Sequence, residues 1–108
     1  MTPHEAPPIY EVVVTLAPGT DSEVFTDWMR DHHIPALLAT RCFTAASFER
    51  EQSLHPRFRV RYFAIDRGSL DTYLAEHASR IRADFQRHFG EGATVRRETW
   101  EVLEVWEH

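Results

Sequence analysis

The first hydrophobic run of the chain predicts a buried strand followed by a helix. Residues Ile9 to Leu16 are rich in β-branched side chains and almost continuously apolar, which is typical of a central strand covered on both faces. Pro18 and Gly19 end this run. Large side chains then recur at helical spacing and predict a helix from about Asp21 to His32; they are Phe25, Trp28, Met29 and His32.

Pro35 interrupts this helical pattern. Because proline restricts the backbone of the residue before it, we expect the chain to bend at His33 and Ile34. Proline is tolerated in the first turn of a helix, so a short helix is expected to restart over Pro35–Ala39.

The rest of the chain predicts three strands and a second helix. The strands are expected over Phe43–Glu51, Arg57–Ile65 and Thr94–Trp106, and the helix is expected to begin near Ser69 and to end before Gly90. This helix has one apolar stripe, made of Leu70, Leu74, Ala78, Ile81, Phe85 and Phe89.

The predicted order of elements is β-α-β-β-α-β, which indicates an α+β, ferredoxin-like fold with two helices on one face of a four-stranded antiparallel sheet. We expect residues 9–108 to form this single domain behind a flexible, proline-rich leader over residues 1–8. Both faces of the first and last strands have large apolar side chains, so the face without helices would expose an unusually large apolar patch. We therefore expect a homodimer in which two such faces pack together as a dimeric α+β barrel.

Composition and charge disfavour several classes of function. The chain has 108 residues, a mass of 12.6 kDa and a net charge of −5, and all 12 of its Lys and Arg residues are arginine. This acidic balance disfavours nucleic acids and anionic membranes as partners. The sequence has neither the pattern of a signal peptide nor that of a membrane span, so we expect a cytoplasmic protein. The single cysteine, Cys42, lies in an apolar run typical of a buried, inert thiol.

The segment Trp28–Thr40, WMRDHHIPALLAT, resembles a family of short uncharacterised bacterial proteins, domain of unknown function 4286. The resemblance covers nearly the whole chain after the leader, through Arg61-Tyr62, Ser69–Leu74, His77-Ala78, Arg82–Asp84 and His88-Phe89. That family looks like a branch of the dimeric α+β barrel superfamily, which includes antibiotic-biosynthesis monooxygenases and muconolactone-isomerase-like proteins. The superfamily also includes the ethyl-tert-butyl-ether-degradation type, which has a similar His-x-Pro element, here His33-Ile34-Pro35. The resemblance implies a dimeric barrel and no particular reaction.

His33 is the first candidate for a functional side chain. At the expected helix break its ring could point into a cleft, and its unperturbed pKa suits proton transfer near neutral pH. The alternative is a structural role in which the ring hydrogen-bonds backbone groups that Pro35 leaves free. Trp28, on the apolar face of the first helix, is either a core aromatic or a pocket wall.

Arg59 and Arg61 share one face of a predicted strand, where two guanidinium groups need partners if they are buried. Glu11 and Glu101 could pair with them in an ion-pair network at a subunit boundary or barrel rim. The alternative is a clamp for a small carboxylate or enolate, which the guanidinium fork suits. Tyr62 points to the face opposite Arg61, so the two cannot line one pocket.

A second stripe on the last helix contains titratable side chains, and we interpret it as a solvated or interface surface; it consists of Tyr73, His77, Asp84 and His88. One helix alone cannot converge these groups on a metal ion. The chain has no dinucleotide fingerprint, phosphate loop or serine nucleophile motif. We therefore assign no metal and no cofactor.

These observations favour a small-molecule binder or a cofactor-independent enzyme, isomerase-like or monooxygenase-like, for a carbonyl-bearing or aromatic compound. In this hypothesis His33 is the catalytic proton-transfer group and Arg61 the catalytic anion partner, while Trp28, Tyr62 and Glu11 contact the substrate. The alternative is a non-catalytic dimer that binds a partner protein or senses a metabolite. A concave pocket with a perturbed His33 favours the enzyme, whereas a His33 engaged by backbone in a filled core favours the alternative.

Overall fold

The computed structural model describes residues 6–52 and 56–108. Its strands are β1 (Ile9–Leu16), β2 (Phe43–Arg50), β3 (Arg57–Ala64) and β4 (Ala93–Trp100). The first three agree with the predicted strands to within one residue. Residues 1–5 of the expected leader lie outside the described residues.

The four strands form one antiparallel sheet in the order β2-β3-β1-β4. β1 is central and pairs with β3 on one side and β4 on the other, so that Glu11 lies opposite both Arg61 and Glu98. With the two helical stretches on one face, this topology confirms the predicted α+β, ferredoxin-like fold.

The helical layer consists of two long stretches, each widened by a π-helical turn. Residues 22–38 contain α1 (Ser22–Trp28), a π turn (Met29–His33) and α2 (Ile34–Leu38). Residues 67–89 contain α3 (Arg67–Thr72), a second π turn (Tyr73–His77) and α4 (Ala78–Phe89).

The predicted bend at His33 and Ile34 is wrong. Both residues keep right-handed helical backbone angles, and the helix runs on through Pro35. The amide of Ile34 donates to the carbonyl of Met29, five residues earlier. This wide turn accommodates Pro35, which has no amide proton to continue the regular α-helical pattern.

The hydrophobic core lies between the helices and the inner face of the sheet. The sheet contributes Tyr10, Val12, Val14, Leu16, Phe58, Val60 and Tyr62. The helices contribute Phe25, Met29, Leu37, Leu70, Tyr73, Ala78, Ile81 and Phe85. Alternation along β1 and β3 therefore separates this inner face from an outer face that no helix covers.

β4 ends at Trp100, and the prediction that it continues to Trp106 is wrong. Trp100 pairs with Ile9, which is the first residue of β1. The residues after Trp100 have no β1 residue beside them, so the ladder stops there. Three of their apolar side chains are exposed: Leu103 at 88%, Val105 at 68% and Trp106 at 80%.

The outer face of the sheet is more polar than its pattern suggested. Val13 is buried on this face although no helix covers it, because its neighbours across the two adjacent strands are Arg59 and Arg96. Arginine stems can cover apolar surface while their charged ends stay in water. The larger apolar side chains of this face form one row near its end, made of Phe63, Ile9 and Trp100.

Candidate functional site

The two π turns contribute neighbouring side chains to the interior. In each turn an amide bonds to the carbonyl five residues earlier: Ile34 to Met29, and Ala78 to Tyr73. Single π turns inside α-helices are frequent at functional sites. Met29, His33 and Tyr73 all belong to these turns, and all three are buried.

A cavity of about 20 Å³ lies between the π turns and the sheet. It is lined by Tyr10, Val12, Val14, Met29, His33, Leu37, Tyr73, Ile81, Arg82, Phe85, Val95 and Arg97. This volume has room for a group about the size of one water molecule. Its wall combines an apolar majority with a few polar groups, and its volume is far smaller than the roughly 300 Å³ or more of a pocket that encloses a whole ligand.

His33 is the titratable imidazole in the wall of this cavity. Its side chain is buried, and Nδ1 makes no hydrogen bond with any residue in the described ranges. Burial lowers the pKa of His33 to about 4, against an opposing effect of the Asp84 charge; the charges of His32 and Arg97 lower it further. The ring is therefore neutral at neutral pH and keeps a lone pair available to accept a proton.

Trp28 packs against His33 and is itself partly exposed at the helix surface. Its indole stacks on His33 with ring centroids 5.1 Å apart and contacts the His88 ring at 4.6 Å. Outside it, Asp84 Oδ2 lies 3.0 Å from Nε2 of His32, and the Asp84 carbonyl lies 2.8 Å from Nδ1 of His88. Trp28 thus separates the buried histidine from a polar cluster that links the two helices.

Two arginines are the positively charged residues of the cavity wall. Arg82 donates from Nη2 to the hydroxyl of Tyr10 at 2.9 Å, and its buried Nε has no partner among the described residues. Arg97, on β4, is exposed. Burial raises the pKa of Tyr73 against the opposing charges of both arginines, so Tyr73 stays a neutral phenol.

The structure places the five sequence-predicted site residues in different surroundings. His33 lines the cavity and Trp28 packs behind it, so these two lie together. Tyr62 is on the inner face but packs against Tyr10 and Phe43 with ring centroids 6.0 and 5.4 Å apart. Burial raises the pKa of Tyr62 well above that of a free tyrosine, and the residue does not line the cavity.

Arg61 and Glu11 do not share a pocket with His33. They are paired across β3 and β1 on the outer face, whereas His33 lies on the helical side of the same sheet. The expectation that His33 and Arg61 share one site is therefore wrong. Side chains alternate along β3, so Arg61 points to the outer face and the sheet lies between it and His33. The arginines that line the cavity together with His33 are Arg82 and Arg97.

Glu11 is the centre of a polar network on the outer face. Its carboxylate lies 3.7 Å from Nη1 of Arg59 and 4.0 Å from Nε of Arg61, and it accepts a hydrogen bond from the Trp100 indole at 3.2 Å. Arg59 also contacts the Glu49 carboxylate at 2.6 Å. These contacts favour the ion-pair network over the anion clamp. Glu101, the other expected partner, lies beyond the end of β4.

The sequence interpretation missed four polar residues of the cavity: Tyr10, Tyr73, Arg82 and Arg97. Tyr73 belongs to the stripe interpreted as solvated surface, yet it is only 1% exposed because the helix widens at that residue. A usable signal was present at Arg97. It shares a strand face with Val95, which packs on the core, so alternation directs an arginine toward the helical side.

Other candidate features have simpler roles. Cys42 is buried, and its thiol lies 3.7 Å from the carbonyl of Thr40. Over residues 6–52 and 56–108 no group of three His, Cys, Asp or Glu side chains could hold a metal ion. Within those same ranges, no helix has the length and apolar character needed to cross a membrane.

These features define a ferredoxin-like α+β protein whose helices and sheet enclose a small, histidine-lined cavity. The chain belongs to the family DUF4286, a domain of unknown function, whose model matches residues 8–103. No curated protein matches the chain.

Solved structures of the same fold are similar over most of the chain. SnoaB, a cofactor-independent oxygenase from Streptomyces nogalater, is 14% identical with a TM-score of 0.67, and the match covers 95% of this chain and 100% of SnoaB. A dimeric ferredoxin-like protein from an uncultured marine organism is 6% identical with a TM-score of 0.69, covering 94% and 99%. An ethyl tert-butyl ether (EthD) family protein from Bacillus halodurans is 13% identical with a TM-score of 0.58, covering 83% and 96%. At these identities the likeness shows the fold alone.

Proposed function

We propose that the protein is a homodimeric, cofactor-independent enzyme that transfers a proton on a small carbonyl-bearing or aromatic compound, with His33 as the proton-transfer residue. The observation that carries this proposal is the state of His33. It is buried, it has no hydrogen-bond partner on Nδ1 within the described ranges, and it lines an internal cavity. An imidazole engaged by backbone in a filled core would have supported the structural alternative.

The chemistry assigned to the site is the removal of an acidic C–H proton. The lone pair of neutral His33 takes the proton, and the electron pair of the broken C–H bond moves onto the carbonyl oxygen, giving an enolate. For a β,γ-unsaturated carbonyl compound this enolate is a dienolate, and return of the proton from His33 to the γ carbon of the dienolate completes an isomerisation without any co-reactant. Arg82 and Arg97 lie on the same cavity wall, where guanidinium groups stabilise developing negative charge.

The comparison with SnoaB supports chemistry without a cofactor on this fold, since that neighbour is described as a cofactor-independent oxygenase. The small volume of the cavity sets a limit on the substrate, because about 20 Å³ holds only its reacting end. The rest of the substrate would extend past the exposed side chain of Arg97.

Proton transfer is tested by hydrogen–deuterium exchange of enolisable ketones and keto acids in D2O, followed by NMR. The wild type is expected to accelerate exchange above the buffer rate, and His33→Ala to abolish the acceleration. His108→Ala is the control, since His108 is an exposed histidine that does not line the cavity. Exchange that survives in His33→Ala would contradict the role of His33. Binding without exchange would indicate a metabolite-sensing dimer instead.

The homodimer is proposed to form through the outer face of the sheet. An isologous interface must complement itself, and this face has both arginines and glutamates beside an apolar row that includes Phe63 and Trp100. Two of the similar structures are described as dimeric ferredoxin-like proteins. Light scattering should give twice 12.6 kDa. Phe63→Asp should give a monomer, and Val24→Asp, on the exposed surface of α1, should not. A monomeric wild type would refute this proposal.

A further inference from the structure

We propose that Arg82 and Arg97 form a binding site for the anionic end of a small organic acid, a carboxylate or enolate oxygen, at the edge of the His33 cavity. This inference deepens the proposed function, on which it rests, by naming the chemical class of the ligand. It depends on the arrangement of charges around the cavity and on the space available there.

The charges around the cavity are unbalanced. Arg82 comes from α4 and Arg97 from β4, and both line the same cavity, whose wall contains no carboxylate. Of the other ten arginines, none of which lines the cavity, six have an acidic partner, namely Arg30, Arg57, Arg59, Arg61, Arg87 and Arg96. Arg82 and Arg97 form no ion pair with any residue in the described ranges. Two like charges on one wall repel each other, and a bound anion would relieve this repulsion.

The hydrogen-bonding groups of the wall also suit an anion. Arg82 already donates to the hydroxyl of Tyr10, which leaves the proton of that hydroxyl free to donate to a ligand. The buried Nε of Arg82 is a further donor without a partner in the described ranges. The His33 ring is uncharged at neutral pH, so it neither repels the anion nor forms an ion pair with it. The site therefore offers several donors to a ligand and no negatively charged acceptor.

The volume of the cavity limits the size of the ligand group that can enter it. A cavity of about 20 Å³ admits an oxygen or a single small group, not an aromatic ring. Arg97 is the exposed residue of the cavity wall. The fork of a guanidinium group binds the two oxygens of a carboxylate side by side. The space thus fits one carboxylate oxygen inside the cavity, with the second oxygen and the organic substituent on the side of the exposed Arg97.

The test compares benzoate with benzamide, which has nearly the same shape and no charge. Binding is followed by the NMR shift of the His33 ring and by thermal stabilisation of the whole protein. Benzoate is expected to bind saturably and to raise the pKa of His33, and benzamide to bind at least about tenfold more weakly, as expected for losing a charge-assisted hydrogen bond.

Arg97→Gln is the main variant because Arg97 is exposed and its replacement should not disturb the core. It should weaken benzoate binding by about tenfold or more and leave benzamide unchanged. Arg67→Gln is the control; it removes the same charge at the start of α3, outside the cavity wall. Arg82→Gln should resemble Arg97→Gln in its effect on benzoate.

The outcomes separate this inference from the proposed proton transfer. If benzoate binding follows Arg97 while no carbon acid undergoes exchange, the anion site stands and the catalytic role of His33 does not. The anion site is overturned by an equal affinity for benzoate and benzamide. It is also overturned by the absence of saturable benzoate binding, or by equal benzoate affinities of wild type and Arg97→Gln.

Discussion

The indole of Trp28 lies nearly parallel to the imidazole of His33, with ring centroids 5.1 Å apart and planes inclined by 24°. The same indole contacts His88 at 4.6 Å and Phe85 at 5.8 Å. One side chain therefore stands between a buried histidine and a polar cluster on the helix surface. This relationship makes Trp28 a determinant of how much water reaches His33.

Trp28→Ala is expected to destabilise the protein and to raise the pKa of His33 at the same time. Losing a half-buried tryptophan should cost about 2 to 4 kcal/mol, because contacts with five neighbouring rings disappear: those of His32, His33, Phe85, His88 and Phe89. Water admitted beside His33 should move its pKa from about 4 toward 6.5. Urea unfolding gives the stability, and NMR titration gives the pKa.

Trp106→Ala is the control for this prediction. Trp106 is 80% exposed, so its removal should change the free energy of unfolding by no more than about 0.5 kcal/mol. It should not change the pKa of His33. An unshifted pKa in Trp28→Ala would mean that other side chains keep water from His33.

The lowered pKa of His33 predicts a loss of stability in mild acid. The pKa is about 4 in the folded protein and near 6.5 when the chain is unfolded, so the unfolded state binds the additional proton between these values. The contribution of the buried, neutral His33 to the free energy of unfolding is complete above pH 6.5. It is lost as the pH falls to about 4, by about 3 kcal/mol in all. Among the charged groups around the ring, Asp84 opposes the lowering, and His32 and Arg97 support it.

Unfolding measured at about pH 7 and about pH 5, at one protein concentration, tests this effect. Wild type should be less stable at the lower pH by about 2 kcal/mol, whereas His33→Phe should lack most of this difference. His108→Gln, at an exposed position, should behave as wild type. If His33→Phe keeps the full loss of stability between about pH 7 and about pH 5, groups other than His33 cause that loss.

Glu11→Gln is expected to be among the most destabilising single changes on the outer face of the sheet. Glu11 is only 8% exposed and faces Arg59 and Arg61 on one side and the Trp100 indole on the other. Removing its charge leaves two guanidinium groups without this acid, at a cost of about 2 to 4 kcal/mol.

The control on the same face is Glu98→Gln. Its carboxylate pairs with Arg96 at 3.0 Å and is 36% exposed in one protomer, against 11% for the Glu11 side chain, and more exposed pairs contribute only about 0 to 1 kcal/mol. Urea unfolding should therefore rank Glu11→Gln well below Glu98→Gln in stability. Equal stabilities would show that the Glu11 network contributes nothing beyond an ordinary surface pair.

The strands and the fold were predictable because their signals are local. The apolar run Ile9–Leu16 marked β1 at both ends, and the order of elements then determined the topology. The end of β4 was not predictable from its own residues. Val102, Leu103 and Val105 continue a strand-like pattern, but a strand needs a partner, and β1 begins at Ile9 opposite Trp100.

The candidate site was predictable at His33 and Trp28, where an unusual motif surrounds a proline. The remaining polar residues depended on a change of helical register. A regular 3.6-residue period places Tyr73 on the stripe with His77, whereas the π turn at Tyr73–His77 turns Tyr73 inward. Arg61 was the wrong choice of partner for His33, since alternation in β3 puts it on the other side of the sheet.

Two neighbouring tyrosines should respond differently to loss of the hydroxyl group. Tyr10 and Tyr62 lie opposite each other on β1 and β3, and both are almost fully buried. The Tyr10 hydroxyl accepts a hydrogen bond from Arg82, while the Tyr62 hydroxyl has no hydrogen bond with any described residue. Tyr10→Phe should cost about 1 kcal/mol of unfolding free energy, the usual net value of one hydrogen bond. Tyr62→Phe should stay within about 0.5 kcal/mol of wild type.

The tyrosine pair also reports on the cavity. Tyr10→Phe frees Arg82 from its partner and removes a donor from the wall, so benzoate binding should weaken by several fold, whereas Tyr62→Phe should leave it unchanged. Matched urea unfolding and benzoate titration of the two variants give both readings. If the two variants lose equal stability and equal affinity, the Arg82–Tyr10 hydrogen bond contributes neither to the fold nor to the binding of the anion.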